Sequence, residues 1–415
     1  MTSAEFDPSN KKPLYWGAFG VLFLSVILYW LGISMVWPVN VLYFSSQGYP
    51  PLMVGFFLAL NSIIPFLFAM PAGGFIDRIG TRKSVLIGTA LCTASGFMYI
   101  VGGNQSILFL FLTGQIINGF GALLTWGALQ ASAAIEASKV KTSGKSDHIL
   151  SNFAFVNSLA QLSGPVLGGI LSDNGGYANV FSLYAILSAF AFGNAFFLPK
   201  AALSNAVRSM GRTHQFWKSY VIGISLMKNN RLFFMAILLN GILFILVDIR
   251  GTFLPIYLST GGLSNTQVGV LLSLSGAAAV IIRPFVGTLL KFVGYQWMMV
   301  ICIVSGGLCL AGLSLQPAVW FIAVVIFIWG ACTGINQPMA LIMVANTVQT
   351  HEQGMGMSIR TMANRSVQFI NPLFIGAVSG IFGLSVGFGI IGAVLVLTGT
   401  AYHFMRARSL PADHS

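Results

Sequence analysis

Charge is what this sequence has least of. Only 7% of its 415 residues are Asp, Glu, Lys or Arg, and the acids number 9 against 21 Lys and Arg. A soluble globular chain carries roughly 25% charged residues, so water cannot be the solvent for most of this surface. Cysteine is scarce too. Cys92, Cys302, Cys309 and Cys332 all lie inside apolar stretches without metal-ligand spacing, and they read as small buried apolar side chains, not disulfides or ligands. His148, His214, His351, His403 and His414 fall in loops, tails or the end of an apolar stretch, again without ligand spacing. No Gly-Lys-Ser/Thr phosphate loop is present, so ATP does not act on this chain directly. With no metal set, no cofactor motif and no catalytic grouping, the sequence does not read as an enzyme.

What the chain has in abundance is apolar length. Hydrophobic residues make up 56% of it and the mean hydropathy is +0.84. The apolar blocks mostly exceed the ~20 residues that cross a bilayer as a helix. We place spans near 15–45, 50–72, 84–103, 106–130, 150–172 and 177–198, then a longer polar stretch at 199–231. Six more follow near 232–258, 266–290, 297–315, 318–342, 357–380 and 384–405. The first block is too long for a signal-peptide core, and no small-residue cleavage site follows it.

The net charge of +12 does not mark a nucleic-acid partner, because the basic residues sit in short loops between apolar blocks. Taken alternately from the N-terminal tail, one set of loops holds Lys11, Lys12, Arg78, Arg82, Lys83, Lys139, Lys141, Lys145, Lys291, Arg406, Arg408 and all the cations of 199–231. The other set holds none. The positive-inside rule puts both termini and the 199–231 connection in the cytoplasm of a multi-pass protein of the inner or plasma membrane. A miscounted span would have scattered the cations over both sets. Within the connection, residues 214–222 suit either an amphipathic helix lying on the inner leaflet or an ordinary linker.

The two halves of the chain repeat one another. Asn157, Gln161, Pro165 and Gly169 in span 5 recur as Asn364, Gln368, Pro372 and Gly376 in span 11, at an offset of 207. Val54, Gly55 and Gly73 of the span 2 region recur as Val268, Gly269 and Gly287, at an offset of 214. Two matches in corresponding spans indicate a duplicated six-helix unit, with a pathway between the halves. The expected units are 1–198 and 232–415, joined by the 199–231 linker.

The loop between spans 2 and 3 reads Gly73-Gly74-Phe75-Ile76-Asp77-Arg78-Ile79-Gly80-Thr81-Arg82-Lys83. It resembles motif A of the major facilitator superfamily, and a worn copy follows span 8 as Arg283-Pro284, Gly287, Lys291 and Gly294. The resemblance covers essentially the whole chain and implies an all-α membrane protein of twelve helices in two pseudo-symmetric six-helix bundles. It also implies that Asp77 caps the start of helix 11 near Gly356, and that Arg78 or Arg82 reaches Glu136, latching the outward-open state. In that reading Gly73 and Gly80 allow close helix approach and a tight turn. The plainer alternative is that the cations only enforce topology.

Span 5 carries Gly164-Pro165-Val166-Leu167-Gly168-Gly169, which is similar to the motif C of drug/proton antiporters, although Ala160 replaces its upstream glycine. Gly164 and Pro165 would bend the helix, and Gly168 and Gly169 would let it pack closely. A generic kinked packing helix would look the same. Gln115 to Gly121 resembles motif B, but Gln115 stands where proton-coupled members usually carry arginine.

Ionisable residues at membrane depth are functional candidates by default. Here they are Asp248, Arg250, Arg360 and Arg365, beside the motif echo Arg283. Asp248 is the only acid deep in a span, which makes it the candidate proton carrier. A structural pair with arginine is the alternative. At 1.5 Å per residue Asp248 lies about 24 Å and Arg365 about 12 Å from the starts of their helices, which argues against a tight pair. If the superfamily arrangement holds, Tyr29, Trp30, Ser34, Trp37, Asn40, Gln115, Asn118, Trp126, Asn240, Trp329, Asn336 and Gln337 line the cavity, though each taken alone suits packing equally well. The expected function is a monomeric secondary transporter in the lipid bilayer, exporting a small drug-like or metabolite solute with protons as coupling ion. The alternative is an organic-anion transporter using the embedded arginines.

Overall fold

A computed structural model describes residues 12–138, 143–199, 215–316, 318–348 and 353–407, and every regular element among them is helical. In chain order these are α1 (Lys12–Ser46), α2 (Pro51–Ile79), α3 (Thr81–Asn104), α4 (Leu108–Ser138), α5 (Ser143–Ala195), α6 (Gln215–Asn229), α7 (Arg231–Thr260) and α8 (Asn265–Ile282). A 3-10 turn (Arg283–Phe285) leads into α9 (Val286–Val293), and α10 (Tyr295–Ser314), α11 (Val319–Thr347), α12 (Gln353–Phe382) and α13 (Leu384–Ala407) complete the chain.

Ten described stretches are long and apolar enough to cross a bilayer. One of them, Ile149–Ala195, would be about 70 Å long as a straight helix, twice the hydrocarbon thickness. It is two passes, because Gly176 sits at φ 74, ψ 173 and turns the chain between residues 143–175 and 177–195 of α5. The stretch missing from the apolar set is α12, whose Arg360, Asn364, Arg365, Gln368 and Asn371 dilute its hydropathy. Twelve passes result, as the sequence leads one to expect, with α8, the turn at Pro284 and α9 forming a single bent pass.

The remaining helix, α6, is about 22 Å long, too short to span. It lies in the stretch where the sequence allowed either an amphipathic helix or a linker. The Tyr220 hydroxyl donates to the Leu67 carbonyl of α2 at 2.6 Å, and Gly223 rests against Met70 and Ile359. His214 lies outside the described residues.

Pairs of left-handed glycines display the repeat in the backbone. Gly48 and Gly262, at φ 77 and 86, end the loops after α1 and α7 and are 214 positions apart. Gly80 and Gly294, at φ 90 and 76, have the same offset. Gly176 and Gly383, at φ 74 and 83, are 207 apart, the offset seen in spans 5 and 11. Each is a sharp corner that a Cβ would strain.

The halves meet mainly through two helix pairs, α2 with α12 and α5 with α8, with α1 also packed on α7. We call the face holding the start of α1 and the end of α13 the terminal face, and the opposite one the distal face. Near the distal face the contacts are backbone on backbone. A Cβ on Gly55 would run into the Pro372 carbonyl, and one on Gly269 into the Pro165 carbonyl. Gly376 in turn faces Pro51 and Leu52, and Gly169 faces Asn265 and Thr266. These four contacts are two copies of one arrangement, related by the offsets of the repeat.

One addition breaks the symmetry. Asp173 at the distal end of α5 accepts hydrogen bonds from the backbone amides of Asn265, at 3.1 Å, and Thr266, at 2.7 Å. These are the first amides of α8, where an anion satisfies orphan donors and opposes the helix dipole. The equivalent position in the other half is Gly380.

Two substitutions test this closure. Gly269→Val puts a branched side chain into the Pro165 carbonyl, so spin labels at Gln47 and Thr260 should separate; an unchanged distance distribution means the glycines do not set the closure. Asp173→Asn removes an interaction of ~0.3–1 kcal/mol and should raise the distally open population roughly 2- to 5-fold in the same experiment.

Candidate functional site

In the first half, α1, α4 and α5 bring four aromatic side chains together. Tyr29 and Trp126 stack with ring centroids 6.4 Å apart, Trp30 meets the edge of Trp126 at 5.0 Å, and Phe153 stacks on Trp126 at 5.8 Å. The Tyr29 hydroxyl donates to the Ala122 carbonyl at 3.3 Å and lies within electrostatic range of Arg365 of α12. Such a surface suits a flat apolar solute with one polar handle.

Gln115 and Asn118 take a different position from the one the resemblance suggests. Both are buried inside the first bundle. Gln115 Oε1 accepts from the Tyr99 hydroxyl and from Asn61 Nδ2, each at 3.2 Å. Asn118 Oδ1 accepts from Ser95 Oγ at 3.3 Å and from the Tyr184 hydroxyl. An amide in an apolar bundle needs partners; the two side-chain oxygens find donors on α2, α3 and α5, whereas the buried Nε2 of Gln115 has no partner among the described residues.

In the second half Asp248 is 1% exposed and accepts a hydrogen bond from Asn371 Nδ2 of α12 at 2.7 Å. No arginine reaches it among the described residues. Its counterpart 214 positions earlier is Ser34, packed against Gly164, and Asn371 lies 207 positions after Gly164. The second half thus carries an acid–amide pair where the first carries a serine against a glycine.

The arginines are likewise without carboxylates among the described residues. Arg250 Nη1 donates to Ser275 Oγ at 3.1 Å and Thr333 Oγ1 at 3.5 Å. Arg365 Nη1 donates to Gln368 Oε1 at 2.6 Å, and the buried Nε of Arg360 has no partner among the described residues. Asn240 Nδ2 donates to Asn364 Oδ1 at 2.8 Å, and Asn336 is buried in α11. The side chain of Gln337 lies outside the described residues.

The loop resembling motif A is undocked. Asp77, Arg78 and Lys83 are exposed, Arg82 is half-buried, and a Cβ on Gly73, Gly74 or Gly80 would meet nothing within 4 Å. Gly80 does make the tight turn between α2 and α3, at φ 90. Glu136 is buried in a small pocket with Thr81, Ser132 and Leu198, and among the described residues neither Arg78 nor Arg82 is bonded to it. The glycines resembling motif C are in contact. Gly164 and Gly168 meet Ser34 and Met35 of α1, and Gly169 meets α8.

Sequence reasoning passed over Asn371, Ser158 and Asp173. Asn371 could have been found from its offset to Gly164 in the repeat. Asp173 gave no local signal, since an acid in a loop is ordinary. No cluster of His, Cys, Asp or Glu among the described residues could hold a metal ion, and the four cysteines are free and buried.

Three comparisons bear on identity. The sequence profile of the Major Facilitator Superfamily matches residues 22–291 and 247–414. The multidrug resistance protein MdtG of Salmonella choleraesuis is 24% identical over 404 residues, 95% of this chain and 96% of that one. The quinolone resistance protein NorA of Staphylococcus aureus is 27% identical over 157 residues, a match covering 37% of this chain and only 38% of NorA's length. Among solved structures, the nucleoside transporter NupG (D323A mutant) superposes with a TM-score of 0.76 at 14% identity, covering 94% of this chain and 99% of that one. A POT family transporter in complex with a thioalcohol-conjugated peptide gives 0.74 at 14% identity, covering 94% and 96%. At such identities the structures speak for the fold alone. The twelve passes, the internal repeat and the profile match over most of the sequence lead to one conclusion: the chain belongs to the major facilitator superfamily of membrane transporters.

Proposed function

We propose that this transporter exports small drug-like or metabolite compounds by alternating access, with protons as the coupling ion and Asp248 as their carrier. The observation that carries the reading is the place of Asp248: buried in α7, with one amide partner on α12 and no cation partner among the described residues. An amide N–H can bond a carboxyl oxygen in either protonation state. α12 also packs on α2 of the other half, so the rocking of one half against the other would change what surrounds the acid. Coupling requires such a differential between states. Gln115, standing where proton-coupled members usually carry arginine, counts against the standard coupling scheme, so the reading rests on Asp248 alone.

The resistance functions named for NorA and MdtG, together with the aromatic cluster at Tyr29, Trp30 and Trp126, support export of amphipathic compounds. In this reading the protein works as a single chain in the inner or plasma membrane, with the terminal face and both termini in the cytoplasm. We divide it into bundles 1–198 and 232–415 joined by 199–231. The tight distal face and the undocked Asp77 loop correspond to an inward-facing conformation. The Asp77 contact to α12 would then form when the cavity opens to the distal side.

A second reading, transport of organic anions, draws on the imbalance of charge in the second half. Arg250, Arg360 and Arg365 have no carboxylate among the described residues.

Three measurements separate these readings. In proteoliposomes with an imposed pH gradient, Asp248→Asn should abolish uphill movement while substrate exchange persists; uphill transport by well-expressed variant protein removes Asp248 from the coupling role. Asp77→Asn should lower transport without lowering expression, and unchanged kinetics would deny the loop a part in gating. If anions are the cargo, Arg365→Gln should instead be the damaging change, raising the KM for an anionic substrate, while Asp248→Asn has the smaller effect.

A further inference from the structure

Helix α6 runs into α7 with only Asn230 between them. Asn230 fixes that corner. Its Oδ1 accepts from the Phe233 amide at 2.9 Å as the N-cap of α7, and its Nδ2 donates to the Thr347 carbonyl of α11 at 2.6 Å. Leu226 and Met227 of α6 pack on an apolar cluster that includes Phe233, Ala236 and Ile237 of α7 and Ile359 of α12. By these contacts α6 is anchored to the second half.

Its other end reaches the first half. The Tyr220 hydroxyl donates to the Leu67 carbonyl of α2 at 2.6 Å. That carbonyl lacks its helical donor, because the residue one turn on is Pro71, which has no N–H. Tyr220 fills the vacancy from outside the helix. One turn further along α6, Gly223 is buried where the halves meet: a Cβ there would come within 2.8 Å of Met70 Cε of α2 and 3.3 Å of Ile359 Cγ1 of α12. Leu67 and Met70 lie ~24 and ~28 Å along α2 from its distal end, at the edge of an apolar layer ~30 Å thick. The outward face of α6, Val221 and Ile224, is exposed and apolar, as suits a helix seated at that edge.

The grip on α2 is made ~18 Å along the helix from the close contact at Gly55. With that contact as pivot, a rotation of one half on the order of 15° displaces Leu67 by ~5 Å, enough to part it from Tyr220. A contact made in one state and lost in the other favours the state that has it. We propose that α6 is a strap of the second half that grips α2 while the distal face is closed and lets go when the terminal face closes, so that its release is a step of the transport cycle. Asp77 follows Met70 by two turns of α2 and is exposed in this conformation. The strap and the Asp77 contact with α12 are thus made in alternation. The inference rests on alternating access and is independent of the solute and of protons.

The test uses full-length protein in lipid nanodiscs at acid and alkaline pH, with the distance between labels at Gln47 and Thr260 reporting the distal face. Tyr220→Phe keeps the ring and removes the bond, and should raise the distally open population roughly 2- to 5-fold. Val221→Ala, on the outward face, should not. Leu67→Cys with Tyr220→Cys, joined by a short reducible bis-thiosulfonate, should hold the distal pair at its closed distance, and reduction should restore the open population. In this variant the distal labels are carried on non-cysteine amino acids, and the four native cysteines are buried.

Free movement of the distal pair in the cross-linked protein overturns the strap, as does a Tyr220→Phe distribution identical to that of the unaltered protein. An equal shift from Val221→Ala would assign the effect to the seating of α6 in the membrane and not to its grip on α2, and would also overturn it. A single distal distance in every variant and condition would defeat alternating access and the strap together, whereas two distances whose proportions ignore Tyr220 defeat the strap alone.

Discussion

Everything in this architecture depends on how closely two helices from different halves can approach. At Gly55 against Pro372 and at Gly269 against Pro165, the absent Cβ leaves room for a backbone carbonyl and nothing else. Inside a bilayer there is no hydrophobic drive to press helices together, so contact must come from close packing and from polar groups satisfied across the interface. The glycines supply the first and Asp173, bonded to the first amides of α8, supplies the second. The same helix pairs also meet away from the glycines, where Phe66 of α2 stacks on Phe369 of α12 at 5.5 Å and the Ser273 hydroxyl of α8 donates to the Leu162 carbonyl of α5 at 2.6 Å.

The proline residues belong to the same device. Pro165 and Pro372 lack an N–H, so each frees a carbonyl one turn earlier in its helix. The halves have since diverged where chemistry is wanted. Ser34 and Gly164 in the first half correspond to Asp248 and Asn371 in the second, and Gly380 corresponds to Asp173. The second half thereby carries an acid–amide pair at membrane depth where the first carries a serine and a glycine.

Much of this was legible in the sequence, and the reasons differ by element. Apolar block length and the one-sided placement of Lys and Arg specify twelve passes because the bilayer imposes a fixed thickness and a fixed sign of charge on one side. The offsets of 207 and 214 led directly to the helices that form the distal interface. The site was less legible. Gln115 and Asn118 look like cavity residues in one dimension, but only the positions of Tyr99, Asn61, Ser95 and Tyr184 in space show that their side-chain oxygens are bonded within the bundle. Asp248 was visible as a lone acid, whereas its partner Asn371 was one amide among several on a polar helix. Asp77 in the loop after α2 indicated a latch, yet a latch engages in one conformation, and the described one leaves Asp77 exposed.

The most direct measurement is made on unmodified protein in liposomes carrying an imposed pH gradient, following a fluorescent amphipathic compound on one side and internal pH on the other. The account predicts uphill movement of the compound accompanied by proton flow in the opposite direction, both collapsing when a proton ionophore is added. Folded, correctly inserted protein that moves the compound only down its own gradient, with internal pH unchanged, would contradict it.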